Sequence, residues 1–169
     1  MILQSMTANY QLIIITGVSG TGKTTLGTSL SEKLSLPFYD ADLFHPKENV
    51  AKMSNGIPLT DKDRQPWLES LASKLEESKK SGGCILACSS LKESYRKILA
   101  GGNDIKWIHL KGDRDLIWDR MKARKNHYMK AEMLDSQFAT WEEPNYGKKL
   151  SIDQTPTEIL EEALDYLKK

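Results

Sequence analysis

The sequence predicts an α/β fold: a parallel sheet with helices on both faces. Three observations carry this. Short apolar runs alternate with helical patterns, a glycine-rich turn follows the first run, and the last helix has a full start signal. "QLIIIT" (11–16) reads as a buried strand. Leu26, Leu30 and Leu34 then recur at i, i+4 and i+8, one face of a helix over 22–35. "LPFYD" (36–40) is a short second strand, and Trp67, Leu68, Leu71 and Leu75 give helical spacing within 62–80. "GCILAC" (83–88) is a third strand, bracketed by Gly82-Gly83 and Ser89-Ser90, and "IKWIHL" (105–110) is a fourth. "LIWDRMKAR" (116–124) reads as a helix with Asp113 as its N-cap, and "KLSID" (149–153) as a weaker fifth strand. Thr155 at N-cap, Pro156 at N1 and Glu158 at N3 form a capping box. Ile159, Leu160, Ala163, Leu164 and Leu167 supply the apolar face behind it.

At 169 residues the chain suits a single domain, 1–169, with a real core. Hydrophobic residues make up 39% and charged residues 28%, which is an ordinary globular balance. A formal net charge of +1 gives no general attraction to nucleic acid or an anionic membrane, so neither is expected as a partner. No apolar run approaches the roughly 20 residues a bilayer span needs. Residues 1–10 lack the charged and apolar regions of a signal peptide and read as a loose leader. Cys84 and Cys88 lie four apart on a strand, too distant for a disulfide and without the partners of a zinc site. Two small buried thiols in a reducing cytosol are expected.

"IIITGVSGTGKTTLG" (13–27) carries the first chemistry. Gly17, Gly22, Lys23 and Thr24 match G-x-x-x-x-G-K-[ST], after a strand and at the opening of a helix, the context the motif requires. The glycines let backbone N–H groups curl around phosphate oxygens, and the helix points its positive end at the same anion. Gly17, Val18, Ser19, Gly20, Thr21 and Gly22, with Lys23, Thr24 and Thr25, are therefore the candidate nucleotide-binding positions. Lys23 suits the β- and γ-phosphates, and the Thr24 hydroxyl suits Mg²⁺. The loop predicts ATP and Mg²⁺ as cofactors. No guanine-specific N-K-x-D and no D-x-x-G switch accompany it, and a chain of this length has little room for a mechanical module.

Strand 2 runs into "YDADLFHP", at the carboxyl edge where ligands of such sheets sit. Asp40 and Asp42 flank one small residue. Two carboxylates there can divide labour, one in the Mg²⁺ shell and one on an acceptor hydroxyl. The plainer alternative is a pair of turn aspartates with Asp42 capping a helix. His45-Pro46 is a rigid turn or an acceptor contact; as a metal ligand His45 suits Mg²⁺ poorly, because that ion prefers oxygen.

"GVSGTGKTT", "DADLFHPKENVAKMSNGIPLTDKDRQPWL", "CSSLKESYRKIL", "LKGDRDLIWDRMKARKNHYMKAEMLDSQFATWEEP" and "SIDQTPTEIL" together resemble the small gluconate kinases, ATP-dependent gluconokinases of the P-loop kinase superfamily. The resemblance covers nearly all of 12–160, and the block around "HPKENVAKMSNGIPLTDKDRQPWL" is far more specific than the phosphate loop. It implies a three-layer P-loop kinase fold with strand order 2-3-1-4-5 and a mobile lid at about 124–136. It also implies phosphorylation of the 6-hydroxyl of D-gluconate, a cytoplasmic location and a homodimer. Ala41 departs from the glycine the family usually has between the two aspartates. That tests the loop geometry, since a methyl group is tolerated unless the backbone needs φ > 0.

Gluconate is a carboxylate with several hydroxyls, so its site needs cations and hydrogen-bond partners. Arg64 can grip a carboxylate bidentately. Ser89, Lys92 and Arg96 follow strand 3 on the acceptor side, and Lys52 is a further candidate. The resemblance assigns Asp40 to the metal shell with Thr24, Asp42 to the acceptor hydroxyl, and Lys23, Asp42 and Arg124 to catalysis. It sets Arg120 and Gln154 near adenine. The four tryptophans, Trp67, Trp107, Trp118 and Trp141, read as packing residues. Two rival readings remain. One is a kinase for shikimate or another sugar acid, against which "CSSLK" stands where shikimate kinases carry a triple glycine. The other is a non-catalytic ATP-binding regulator.

Overall fold

The structure, a computed structural model, describes residues 10–123 and 131–169. Five strands form one sheet in the order β2-β3-β1-β4-β5: β1 (Gln11–Thr16), β2 (Phe38–Asp40), β3 (Gly83–Ala87), β4 (Lys106–Lys111) and β5 (Lys148–Ser151). Every pairing is parallel. This is the predicted order. Of the three inner strands, β1 and β3 are apolar almost throughout and buried on both faces, while the edge strands β2 and β5 are short and mixed. In β5 only Leu150 is buried, opposite Leu110. Gly83 opens β3 at φ +106, and a Cβ there would stand 1.8 Å from the Gln11 carbonyl oxygen, so no side chain fits where β3 meets β1.

The helices are α1 (Lys23–Leu34), α2 (Lys47–Ser54), α3 (Asp61–Ser78), α4 (Glu93–Ala100), α5 (Arg114–Ala123), α6 (Ala131–Thr140) and α7 (Pro156–Leu167). Right-handed crossovers dictate their sides. The step from β1 back to β2 puts α1 on one face, where α7 packs against it; the forward steps put α3 and α4 together on the other. The core runs through both layers, with Ile13, Ile14, Ile15, Leu30, Leu71 and Ile108 fully buried. Two caps fix helix starts. At α3, Thr60 accepts from the Asp63 N–H while the Asp63 side chain accepts from the Thr60 N–H, a complete capping box. At α7, Thr155 accepts from the Glu158 N–H behind Pro156, which is one half of the predicted capping box.

Helices α2, α4 and α6 are additions to the sequence reading. In α4 the buried Tyr95, Arg96 and Leu99 do fall at helical spacing, but two of the three carry polar groups, which masks the apolar stripe. Cys84 and Cys88 are both buried and unbridged, and burial pushes the Cys88 thiol up to about 11. Among the described residues no helix is long and apolar enough to cross a membrane. Of the expected leader, only Tyr10 is described. The expected lid at 124–136 falls partly outside the described residues, and its part from 131 onward is the first turns of α6.

Candidate active site

The loop after β1 is shaped by its own residues. Thr21 is buried and donates to the Val18 carbonyl at 2.9 Å, closing the turn from inside, while Val18 packs in the core. Gly20 sits at φ +80, where a Cβ would stand 2.8 Å from Met121 Cγ, so α5 presses directly on the loop backbone. Gly22 caps α1 without any side-chain bond, which leaves the first N–H groups of α1 directed at the loop. Lys23 folds over the loop and donates to the carbonyls of Gly17 and Val18, both at 2.9 Å.

This loop forms one wall of a cavity of about 760 Å³. Ser19, Gly20, Gly22, Lys23, Thr24 and Thr25 face it. Asp40 and Asp42 face it from the end of β2. Asp40 is level with Ala87 of β3, which is level with Ile15 of β1. Asp40 therefore stands two strands from β1, about 10 Å between backbones at normal strand spacing. Asp40 accepts from the Asp42 N–H at 3.0 Å and caps a short 3₁₀ turn, Ala41–Phe44. It is thus Asp40, not Asp42, that serves as a turn cap, and the Asp42 carboxylate stays exposed to the cavity. Burial pushes the Asp40 carboxyl above its ordinary range, with the Asp42 charge adding to this and Lys23 opposing it. Ala41 is fully buried outside the positive-φ region, so its methyl group fits, and its carbonyl accepts from Trp67 Nε1 at 2.7 Å.

His45 and Arg64 line the same cavity. The His45 ring stacks on Trp67 at 4.1 Å between centroids. Burial, aided by the Arg64 charge, lowers His45 to about 4, so the ring is neutral at physiological pH. Asn49 Nδ2 lies 3.3 Å from His45 Nδ1. Since Nδ2 only donates, Nδ1 accepts and Nε2 carries the proton. Arg64 is held from behind: its NH1 donates to the Leu59 carbonyl at 2.6 Å and to Tyr95 Oη at 3.2 Å, and its plane lies over the Tyr95 ring. Tyr95 in turn donates a short bond to Asp61, which also accepts from Lys92. Ser89 lines the cavity at the end of β3, and its carbonyl accepts from the Gly17 N–H. Across the cavity, α6 contributes Met133, Ser136, Gln137 and Thr140, one helical face.

The shikimate kinase family matches residues 19–168. The thermoresistant gluconokinase of Escherichia coli (strain K12) is 37% identical over 169 residues, 95% of this chain and 95% of that one. The gluconokinase of Gluconobacter oxydans (strain 621H) is 42% identical over 159 residues, 91% of this chain and 89% of that one. The chain belongs to the gluconokinase family. A solved gluconokinase from Sinorhizobium meliloti 1021 superposes with a TM-score of 0.87 at 35% identity, covering 95% of this chain and 93% of that one. A shikimate kinase from Aquifex aeolicus, at 15% identity and a TM-score of 0.64, shares the fold.

Within this gluconokinase fold, several predicted site residues stand elsewhere. Arg96 is 1% exposed and is not among the cavity residues. Its Nε donates to the Ser90 carbonyl, its NH2 to the carbonyls of Leu91 and Glu142, and its NH1 to Glu93. A guanidinium enclosed by carbonyls and stacked on Trp141 has no arm left for a substrate. Arg96 is a structural pin, which corrects the sequence reading. Lys92 and Lys52 also stand outside the cavity lining, paired with Asp61 at 3.0 Å and Asp63 at 2.8 Å. Arg120 and Gln154, expected near adenine rather than at the acceptor, donate to the Ile152 and Ser151 carbonyls, each at 2.8 Å, and so gather at the end of β5. A shallower hollow of about 400 Å³ lies nearby, between Lys111, Asp113, Ser151 and Asp153. Arg124 lies outside the described residues. The sequence reading missed the α6 wall, although Met133, Ser136, Gln137 and Thr140 follow the i, i+3, i+4, i+7 spacing of one helix face.

The oxygen donors facing this cavity fit Mg²⁺. Thr24 offers a hydroxyl and Asp40 and Asp42 offer carboxylates, all hard oxygen ligands on one cavity. Among the described residues no group of three or more acidic, His or Cys side chains forms a cage for a metal. Mg²⁺ does not need one, because it keeps water and takes further oxygens from bound phosphates.

Proposed function

We propose that this chain transfers the γ-phosphoryl group of ATP to the 6-hydroxyl of D-gluconate, giving 6-phospho-D-gluconate and ADP. The observation that carries this reading is one cavity shared by a phosphate loop, a carboxylate pair and a pre-oriented arginine, in a chain of the gluconokinase family. Backbone N–H groups of the loop and Lys23 hold the β- and γ-phosphates. Thr24 and Asp40 hold Mg²⁺, which neutralises phosphate charge when bound. Arg64 pairs with the gluconate carboxylate, while His45 and Ser89 hydrogen-bond the polyol. Asp42 orients the 6-hydroxyl and accepts its proton as the new P–O bond forms. Catalysis is then positioning and charge neutralisation. A homodimer working in the cytoplasm belongs to the same reading and rests on the resemblance alone.

The match to the shikimate kinase family makes shikimate the control substrate. ADP release is measured with D-gluconate, glucose, shikimate and a panel of sugar acids. Gluconate is expected to stimulate release strongly and glucose, which has no carboxylate for Arg64, is not. Equal rates with gluconate and glucose would remove the sugar-acid site. A preference for shikimate would move the chain to the neighbouring activity.

A further inference from the structure

The phosphate loop is gripped by a residue far away in the chain. Gln137, on the cavity face of α6, meets Ser19 with both ends of its amide. The Ser19 N–H donates to Gln137 Oε1 at 2.8 Å, and Gln137 Nε2 donates to Ser19 Oγ at 3.0 Å. The orientation of the amide follows from chemistry alone. A backbone N–H can only donate, so the atom facing it is the amide oxygen. That turns the NH₂ group toward Ser19 Oγ, and an NH₂ group can only donate. Ser19 Oγ therefore accepts from Gln137, and its own proton is directed to another partner.

The setting makes this consequential. Ser19 and Gln137 both line the cavity that holds Lys23, Asp40 and Asp42. The next residue, Gly20, is packed against Met121 and Ile117 of α5. Helix α6 is itself tied to α5, where Arg114 Nε and NH2 donate to the two Asp135 oxygens at 2.7 and 3.4 Å. The middle of the loop is thus clamped between two helices that are locked to each other. A hydroxyl donor held in this way, inside a loop built for phosphate, is pre-oriented for an anionic oxygen.

We propose that Ser19 donates a hydrogen bond to the phosphoryl group undergoing transfer, and that Gln137 is the positioning residue that turns the Ser19 hydroxyl toward it. This rests on the kinase reading above. In the step itself the acceptor oxygen forms its bond to the γ-phosphorus, the bond to the β–γ bridging oxygen breaks, and that electron pair leaves on ADP. The acceptor proton passes to Asp42. The Ser19 proton is shared with an equatorial phosphoryl oxygen and is not transferred.

The test compares Ser19→Ala, Ser19→Thr, Gln137→Glu and the Ser19→Ala/Gln137→Glu pair in the full chain. Binding of ADP and of a non-hydrolysable ATP analogue is measured by calorimetry with Mg²⁺, and kcat is measured with gluconate. Ser19→Ala is expected to leave ADP affinity within about twofold, weaken the analogue about tenfold, and lower kcat by roughly 10- to 100-fold, the scale of one lost transition-state donor. Ser19→Thr keeps a hydroxyl and is expected to retain most of the activity. Glu at 137 still accepts from the Ser19 N–H but cannot donate to Oγ, so it draws the Ser19 proton to itself. It is expected to copy Ser19→Ala, and the double variant to be no worse than either single one. Equal loss of ADP and analogue affinity in Ser19→Ala, or unchanged kcat and analogue affinity, overturns the role of Ser19. Additive losses in the double variant, or wild-type behaviour of Gln137→Glu, overturn the role of Gln137. If the wild-type protein does not turn over gluconate, the substrate reading fails, while the two nucleotide affinities still decide the fate of this inference.

Discussion

Asp40 and Asp42 are separated by one residue and differ in burial and in hydrogen bonding. Asp40 is half-buried, caps a turn and has a raised pKa, whereas Asp42 is exposed to the cavity. A carboxylate that is fixed and partly desolvated suits a metal shell. One that is solvated and adjacent suits a hydroxyl proton that must be taken up and released. Asp42→Asn is nearly isosteric but cannot accept a proton. It is expected to fold normally, bind ATP, and lose roughly 10²- to 10⁴-fold in turnover, the range of a positioned acid–base group. The defect of Asp40→Asn is expected to ease as Mg²⁺ is raised. Turnover measured against Mg²⁺ for both variants checks this. Rescue of Asp42→Asn instead would exchange the roles, and full activity in both would reduce the pair to a turn.

At the scale of elements, α4 and the segment that leads into β5 are joined by one buried arginine. Arg96 ties the turn at Ser90 and Leu91 to the carbonyl of Glu142, and Tyr146 Oη donates to the same Glu93 that pairs with Arg96. Lys at this position would keep the charge but lose the planar fork that satisfies several carbonyls together. Arg96→Lys is expected to cost about 3 kcal/mol of stability, the scale for breaking a buried charged network. It is expected to leave the KM for gluconate nearly unchanged in protein that remains folded. Denaturant unfolding beside steady-state kinetics separates the outcomes. A large rise in KM with unchanged stability would return Arg96 to the substrate site. The same element explains Lys92, whose bond to Asp61 braces the Tyr95 that supports Arg64.

For the whole molecule, two histidines couple the fold to pH. His45 and His109 are both lowered to about 4, mainly by burial, from an ordinary 6.5. His109 Nε2 lies 3.1 Å from the Tyr146 carbonyl, to which it donates, so Nδ1 accepts from Thr16 at the end of β1. Arg96, Glu143 and Lys149 are the charged groups that act on it. Below pH 6.5 the unfolded chain takes up protons on these rings that the folded chain refuses until about pH 4. Stability therefore falls as the pH drops through that window, by up to about 1.4 kcal/mol per unit for each ring. The urea midpoint is expected to be lower at pH 5 than at pH 7, with a smaller difference in His109→Gln. An unchanged midpoint between those pH values would contradict the burial of both rings.

By itself the sequence determined the α/β class, the five strands and the position of the phosphate loop. Those signals are local: an apolar run of six, a glycine spacing, a Thr-Pro-x-Glu start. Asp40, Asp42, His45, Arg64 and Ser89 were legible as candidates because each follows a strand or lies in a dense polar block, and all five do line one cavity. What the tertiary structure decided is which cations face that cavity. Arg64, Arg96, Lys52 and Lys92 look alike in sequence. Their roles depend on partners distant in the chain: Tyr95 behind Arg64, Glu142 around Arg96, Asp63 on Lys52 and Asp61 on Lys92. What the α6 face touches was hidden for the same reason. Gln137 and Ser19 are 118 positions apart, and only the packing of α6 over the loop brings an ordinary amide to an ordinary serine. A polar side chain carries no periodic signal of its own, so its function is fixed by the atoms the fold sets beside it.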